Sequence, residues 1–407
     1  MKLRSRSQAR RAALAPLLTY PNFRRFWAGQ VLSNLGSGTA RVALILAVQQ
    51  QQGIGIAVGA LLFVETLPRL FGPVLGAVAD RLDRRRLMIR CDVAQAILFA
   101  IIALAPPFGV VLCLVAAAST TQTLFAPARL ALLPSLVDRE DLPAGNSLMG
   151  IAFNLQVALG PIVGAVLFAA FGIEVALLVN TASFLGSAVA LARVKGHFSV
   201  TDDGGRGLRV MAREGLTFAL AQTRIRALTI GLLLSVSFLA LDDVALVFLV
   251  RDTLGGSSAA YGFVVAAFGV GMVAASAALL ILRFRDSAQL YLLALVASGL
   301  GAVFTGLAPI VAIALVAQAI AGAGNGVDNI ASETLIQQEV PDHLLGRVFG
   351  VATTAANLGA GLAALLGGVM LEFASPRTVM VIGGAGALVV ALVLAGPLRR
   401  TTVPQST

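Results

Sequence analysis

Asp242 and Asp243 stand side by side between Leu239-Ala240-Leu241 and Val244-Ala245-Leu246. Two adjacent carboxylates cannot both face one cation, and their mutual repulsion is relieved when one holds a proton. The pair therefore has the chemistry of a proton site. Arg41, Glu65, Arg69 and Asp328 also stand in apolar stretches, where an ionisable group needs a partner, water or a function. Glu65 and Arg69 are four residues apart, the spacing of an ion pair within one helix. Arg41 shares a stripe with Asn34 and Ser37, and it is the candidate partner for the two aspartates. Gln318, Asn325, Asn329 and Ser332 recur at helical spacing and give one polar face to the stretch that carries Asp328. Asp242, Asp243, Asp328 and Glu65 are thus the candidates for proton coupling. Asn34, Ser37, Arg41, Gln318, Asn325 and Asn329 are the candidates for a polar cavity.

The elements that position these groups follow from composition. Of 407 residues 58% are hydrophobic and only 12% charged, with mean hydropathy +0.89. A soluble domain carries roughly a quarter charged residues, so a water-soluble enzyme, a secreted domain and a disordered chain are excluded. A bilayer core takes roughly 20 apolar helical residues. Twelve stretches qualify, at about 24–49, 53–79, 88–106, 108–131, 146–171, 173–194, 227–250, 259–282, 287–307, 309–333, 345–373 and 377–397. The expected fold is an all-α polytopic membrane protein. No cleaved signal peptide is expected, because Tyr20-Pro21-Asn22-Phe23-Arg24-Arg25 interrupts the first apolar run.

Charge supplies the topology. The net charge is +10, which in a soluble chain would suggest nucleic acid. With the N-terminus inside, 26 of 30 Lys and Arg residues fall on inner segments, Arg251 and Arg377 fall outside, and Arg41 and Arg69 lie within spans. This positive-inside bias puts both termini in the cytoplasm. The chain also repeats at an offset of 203. Asn154-Leu155 falls on Asn357-Leu358, Gly164 on Gly367, Val166 on Val369, Gly59 on Gly262 and Asp83 on Asp286. Two parallel six-helix halves, an architecture suited to alternating access, explain a shift of half the length. The expected divisions are a basic N-terminus at 1–22, helical bundles at 23–194 and 227–398, an amphipathic linker at 195–226 and a tail at 399–407. Cys91 and Cys113, the only cysteines, are taken to lie too far apart on one helix to pair, and His197 and His343 are isolated, so no metal site is expected.

The turn after the second span reads Gly76-Ala-Val-Ala-Asp80-Arg81-Leu-Asp83-Arg84-Arg85-Arg86. It resembles the major facilitator superfamily signature G-x-x-x-D-R-x-G-R-R-[RK], with Asp83 at the eighth position in place of the second Gly. In this reading Gly76 allows close helix approach, Asp80 meets a helix N-terminus, and Arg81, Arg84 and Arg85 anchor the gating turn to headgroups. Gly160-Pro161-Ile-Val-Gly164-Ala165 is similar to the G-P-x-x-G-G element of antiporters in that superfamily, with Ala at the last position. Gln156, Gly160 and Gly164 give this fifth span a small-residue face, and Pro161 gives it a hinge. Asn22-Phe23-Arg24-Arg25-Phe26-Trp27, Pro127-Ala-Arg129 and Gly322-Ala-Gly324-Asn325-Gly326-Val-Asp328-Asn329 resemble the third drug:proton antiporter branch, the macrolide-efflux and enterobactin-exporter group. Two departures bar transfer of a coupling scheme. Ser37 follows Gly36 where members often have Asp, and Arg129 lies at the end of its span.

The resemblance implies a twelve-helix fold of two pseudo-symmetric bundles and efflux of an amphipathic small molecule, such as a macrolide or a siderophore. No G-x-x-x-x-G-K-[ST] occurs, and the only lysines are Lys2 and Lys195, so ATP has no P-loop. The expectation is a proton-driven transporter, not an enzyme, with no cofactor beyond the proton gradient. Its partners would be the substrate and the bilayer, without nucleic acid or ATP, and it would act as a monomer in the inner membrane of a bacterium. A lipid or lysolipid flippase and a nutrient uptake symporter remain open. A non-transporting scaffold would have no reason to keep the intramembrane charges.

Overall fold

The computed structural model describes residues 19–79, 81–196, 208–279, 286–341 and 344–399. Among these the regular elements are all helical. In chain order they are α1 (Pro21–Gln52), α2 (Gly55–Thr66), α3 (Gly72–Ala79), α4 (Arg84–Ile102), α5 (Phe108–Leu132), α6 (Leu142–Ala158), α7 (Gly160–Ala192) and α8 (Leu208–Ala221). They continue with α9 (Thr223–Leu239), α10 (Leu241–Phe248), α11 (Ser258–Leu279), α12 (Ser287–Leu307), α13 (Val311–Glu339), α14 (Leu345–Met370) and α15 (Pro376–Arg399).

Nine helical stretches among the described residues are long and apolar enough to cross a membrane. The difference from twelve predicted spans has a local cause in each case. The second span is divided into α2, a 3₁₀ turn at Leu67–Phe71 and α3. The third is α4, whose first turns carry Arg84, Arg85, Arg86 and Arg90 and lower its apolarity. The fifth and sixth form one stretch, Leu142–Ala192, broken at Gly172 with φ 82°. A side chain at that φ would be strained, so glycine is the residue that lets the two spans meet without a loop. The seventh span is also broken, at Ala240 between α9 and α10, and it ends in a π-helical turn at Leu249–Thr253.

The chain divides into two compact units. The first comprises residues 1–47 and 71–205, the second 48–70 and 206–407. The division thus falls inside α1, and α2 packs with the second unit.

In the first unit, Phe23, Phe26, Met88, Phe125, Leu132, Leu148 and Leu191 form the core at the arginine-bearing end of the helices. Arg84 donates to Ala131 O (3.0 Å) at the end of α5, and Arg85 to Leu191 O (3.0 Å) and Ala192 O at the end of α7. These arginines satisfy helix C-terminal carbonyls and oppose their partial negative charge. Arg84 and Arg85 thus have protein partners at these helix ends in addition to the headgroup role expected of them. Arg81 is exposed. A Cβ at Gly76 would meet nothing within 4 Å, which corrects the reading of close approach there. Asp80, His197 and His343 lie outside the described residues. Cys91 and Cys113 are free thiols on separate helices, α4 and α5, rather than on one. At the mouth of α1, Tyr20 donates its hydroxyl to Asp138 (2.8 Å) and Asp141 (3.0 Å), and the hydrogen bond to Asp138 is the chief cause of its pKa being pushed up to about 12.

Asp83 explains the departure from the signature glycine. It N-caps α4, accepting from Arg86 N at 2.7 Å. Its counterpart 203 residues on, Asp286, N-caps α12, accepting from Ala288 N (3.0 Å) and Gln289 N (3.1 Å). The sequence repeat is therefore repeated as local geometry.

In the second unit, α13 lies between α11 and α12. Gly322 and Gly326 have room for no Cβ, because the α11 backbone at Phe268 and Met272 occupies that space. Close approach of this kind is how membrane helices gain packing when no water drives them together. The linker helix α8 is held by Glu214, paired with Arg347, and Gly215 rests on the Arg347 backbone. Arg224 pairs with Glu339 and also donates to Leu398 O at 3.2 and 2.9 Å, tying the ends of α9, α13 and α15.

Candidate functional site

The broken seventh span creates the site. With α9 ending at Leu239 and α10 beginning at Leu241, Asp242 falls in the first turn of a new helix. Helix N-termini favour negative charge, so the break offers a carboxylate a place in an apolar bundle. Gln318, fully buried on α13, donates its Nε2 to both Asp242 oxygens, at 2.9 and 2.7 Å. Its Oε1 has no partner among the described residues. Asp243, the next residue, is exposed. The two carboxylates thus have different surroundings: one is held by an amide within the unit, the other lies at its surface. Such an arrangement can hold a proton on Asp242, exchanging a charge-assisted hydrogen bond for a neutral one.

The other candidates distribute as follows. Asn325 and Asn329 lie on α13, with Asn329 Nδ2 donating to Asn325 Oδ1 at 3.3 Å, and Ser332 is bonded to Asn329 O. Asp328 turns away from them into the protein. It is buried, its Oδ1 has no partner among the described residues, and the buried Tyr291 of α12 lies near it. Glu65 and Arg69 form their i,i+4 ion pair at 2.7 Å across the end of α2. Asn34, Ser37 and Arg41 belong to the first unit on α1; Ser37 donates to Ser33 O, Asn34 is half-buried and Arg41 is exposed.

Gly160, Pro161 and Gly164 open α7, directly after Leu159, which keeps helical backbone bonds on both sides by donating to Leu155 O (2.9 Å) and accepting from Val163 N (3.1 Å). A Cβ at Gly160 would lie 2.8 Å from Gly38 Cα, and one at Gly164 would overlap the Thr39 backbone. In the second unit the equivalent Gly367 packs against Leu241 and Val244, which flank Asp242. Since Thr39 is the counterpart of Asp242 at the offset of 203, both small-residue elements support the same position of their repeats.

Sequence reasoning passed over two features. Asp92 on α4 is buried, but it follows an arginine-rich turn and was masked by that charge run. Gln49 was masked by its place in Gln49-Gln50-Gln51-Gln52, which reads as the polar end of a helix. No group of three His, Cys, Asp or Glu among the described residues could hold a metal ion.

Residues 11–405 match the family model described as transmembrane secretion effector. The uncharacterized MFS-type transporter YfiS of Bacillus subtilis is 28% identical over 382 residues, 90% of each chain. The enterobactin exporter EntS of Escherichia coli is 26% identical over 402 residues, covering 94% of this chain and 92% of its own. The putative bacilysin exporter BacE of Bacillus subtilis is 29% identical over 181 residues, 44% of this chain and 45% of its own. Among solved structures, the D323A mutant of the nucleoside transporter NupG superposes with a TM-score of 0.74 at 13% identity, covering 92% of this chain and 99% of that one. The human organic anion transporter MFSD10 does so with 0.66 at 17%, covering 92% and 99%.

Proposed function

The chain belongs to the transmembrane secretion effector family of the major facilitator superfamily, and is a multi-pass membrane transporter; on that footing we propose that it is a proton-coupled exporter of an amphipathic small molecule. The observation that carries this reading is the bond from Gln318 to both oxygens of Asp242. It joins two helices of one unit through a group whose charge changes with a proton. Protonation of Asp242 would weaken that bond and loosen α10 against α13, which couples proton binding to helix position. Asp243, exposed beside it, is the partner through which the site meets solvent or substrate.

Residues 23–194 and 227–398 are the two repeats of this scheme, with 195–226 joining them and the Gly160-Pro161-Gly164 element as a hinge. The arginine-rich turns and both termini face the cytoplasm, in the inner membrane of a bacterium. Asn34, Ser37 and Arg41 in the first unit, and Asn325 and Asn329 in the second, are the polar side chains this reading assigns to substrate contact. The proton gradient is the energy source, without a cofactor, and the protein works as a monomer. Export, rather than uptake, is supported by the relatives whose names describe exporters of enterobactin and bacilysin. A siderophore or a macrolide is the substrate class to test first.

The experiment is accumulation of labelled siderophores and macrolides in everted vesicles. An exporter fills them when they are energised, an uptake symporter fills right-side-out vesicles instead, and a lipid flippase ignores a protonophore. Filling that persists in Asp242→Asn would overturn the assignment of the proton to Asp242.

A further inference from the structure

The first unit contains a buried acid that the proposed cycle does not use. Asp92 lies eight residues into α4, about 12 Å along the helix from Arg84. It is 1% exposed, and its Oδ2 has no hydrogen-bond partner among the described residues. Ser187 of α7 faces it, 0% exposed, with a hydroxyl that makes no hydrogen bond of ordinary geometry among the described residues. Two turns earlier on α7, Asn180 is 0% exposed and its Nδ2 has no partner among the described residues.

These groups share one seam. On α1, Gly29 packs on Ser187, and Gly36, seven residues later, packs on Ser183 and Asn180. The α7 residues run back by the same seven positions, so two antiparallel helices leave a polar row between them. Gln30, next to Gly29, is also buried, and its Nε2 has no partner among the described residues. Beside Asp92, α4 supplies Cys91, and α7 supplies the row above; about one turn on along α4, Gln95 donates to Gln122 of α5 at 2.7 Å. Among the described residues no lysine, arginine or histidine from these helices pairs with Asp92.

An ionised carboxylate buried without a countercharge is not sustained by a hydroxyl and amides alone. Buried unsatisfied polar atoms in one seam mark a species that completes them. We propose that Asp92 and Ser187 form a monovalent cation site, for a proton or a sodium ion, inside the first unit and separate from Asp242. Asp92 supplies the negative charge. Ser187 turns its oxygen lone pairs to the cation. The site stands or falls without regard to substrate or transport direction.

The test is infrared difference spectroscopy of the full chain in lipid, wild type minus Asp92→Asn, in choline and in sodium buffers at neutral pH. A protonated-carboxyl band that shifts in heavy water, is absent from Asp92→Asn and persists in sodium identifies the occupant as a proton. The same band present in choline and lost in sodium identifies sodium, and Ser187→Ala should then weaken sodium's effect. Asp92→Glu, which keeps the acid, should move the band rather than abolish it if the Asn variant fails to fold. An ionised Asp92 carboxylate in both buffers, insensitive to sodium, overturns the proposal.

Discussion

Gln49 donates its side-chain amide to both carboxylate oxygens of Asp252, at 2.9 and 3.2 Å, and the two residues are 203 positions apart. That separation is the offset at which the sequence repeats. The end of α1 and the π-helical turn after α10 are thus equivalent points of the two repeats, joined within the second unit by a bond between unlike residues. Nearby, Glu372 accepts from Ile56 N at 3.4 Å, and a Cβ at Gly59 would overlap the α14 backbone at Ala364. Residues 48–70 are therefore fastened to the second unit by a polar pair, a cap and a close backbone contact.

Removing one partner of the first fastening should be measurable. Asp252 is exposed, so the charge-assisted bond contributes at the low end of its range, about 1 kcal/mol. Gln49→Ala and Asp252→Ala should each lower thermal stability, and a double-mutant cycle should show that the effects are not additive. Additive losses would mean the bond carries no coupling.

The paired N-caps give a second expectation. Asp83→Ala and Asp286→Ala should each cost about 1 kcal/mol, whereas Asp83→Gly, which restores the signature residue, should cost only about a few tenths. Thermal unfolding can be read from exposure of the buried Cys91 thiol in a Cys113→Ser background, because Cys113 is already exposed. Equal losses for Ala and Gly at position 83 would contradict the capping role.

Glycine positions separate packing from ornament. Gly164→Ala should be strongly destabilising, because its Cβ would overlap the Thr39 backbone, with losses of about 1–3 kcal/mol for an overpacked site. Gly76→Ala should be close to neutral in stability, since nothing lies within 4 Å of the added atom. Reversal of that order would refute the packing described for α1 and α7.

Arg224 and Glu339 form a largely buried pair. Glu339→Gln should destabilise by about 3 kcal/mol, the scale for breaking such a pair by neutralising one side. Arg224→Ala should cost more in the same assay, because the Leu398 carbonyl loses its two donors as well.

Much of the fold was legible in the sequence because it rests on length, apolarity and charge placement. The repeat was legible too, since Asp83 and Asp286 mark the same helix start in both halves. Breaks within spans were less so: Ala240 carries no signal of its own, and the bend there emerges from packing. Gln318 and Asp242 were both visible as polar residues, but their pairing was not, because it joins helices 76 residues apart in sequence. Arg84 and Arg85 looked like headgroup anchors, for a helix end that needs donors is invisible until the helices are assembled. Asp92 was hidden by the arginines that precede it, although its position inside the third predicted span was a signal available from the start.

The central claim is that a proton on Asp242 is exchanged for substrate export. Its most direct measurement is uptake of a siderophore or macrolide identified as substrate, into proteoliposomes under an imposed pH gradient, compared between wild type and Asp242→Asn. The expected result is uptake that follows the gradient in wild type, collapses with a protonophore and is lost in Asp242→Asn while the variant still binds substrate. Gradient-driven uptake that survives in the variant would contradict it.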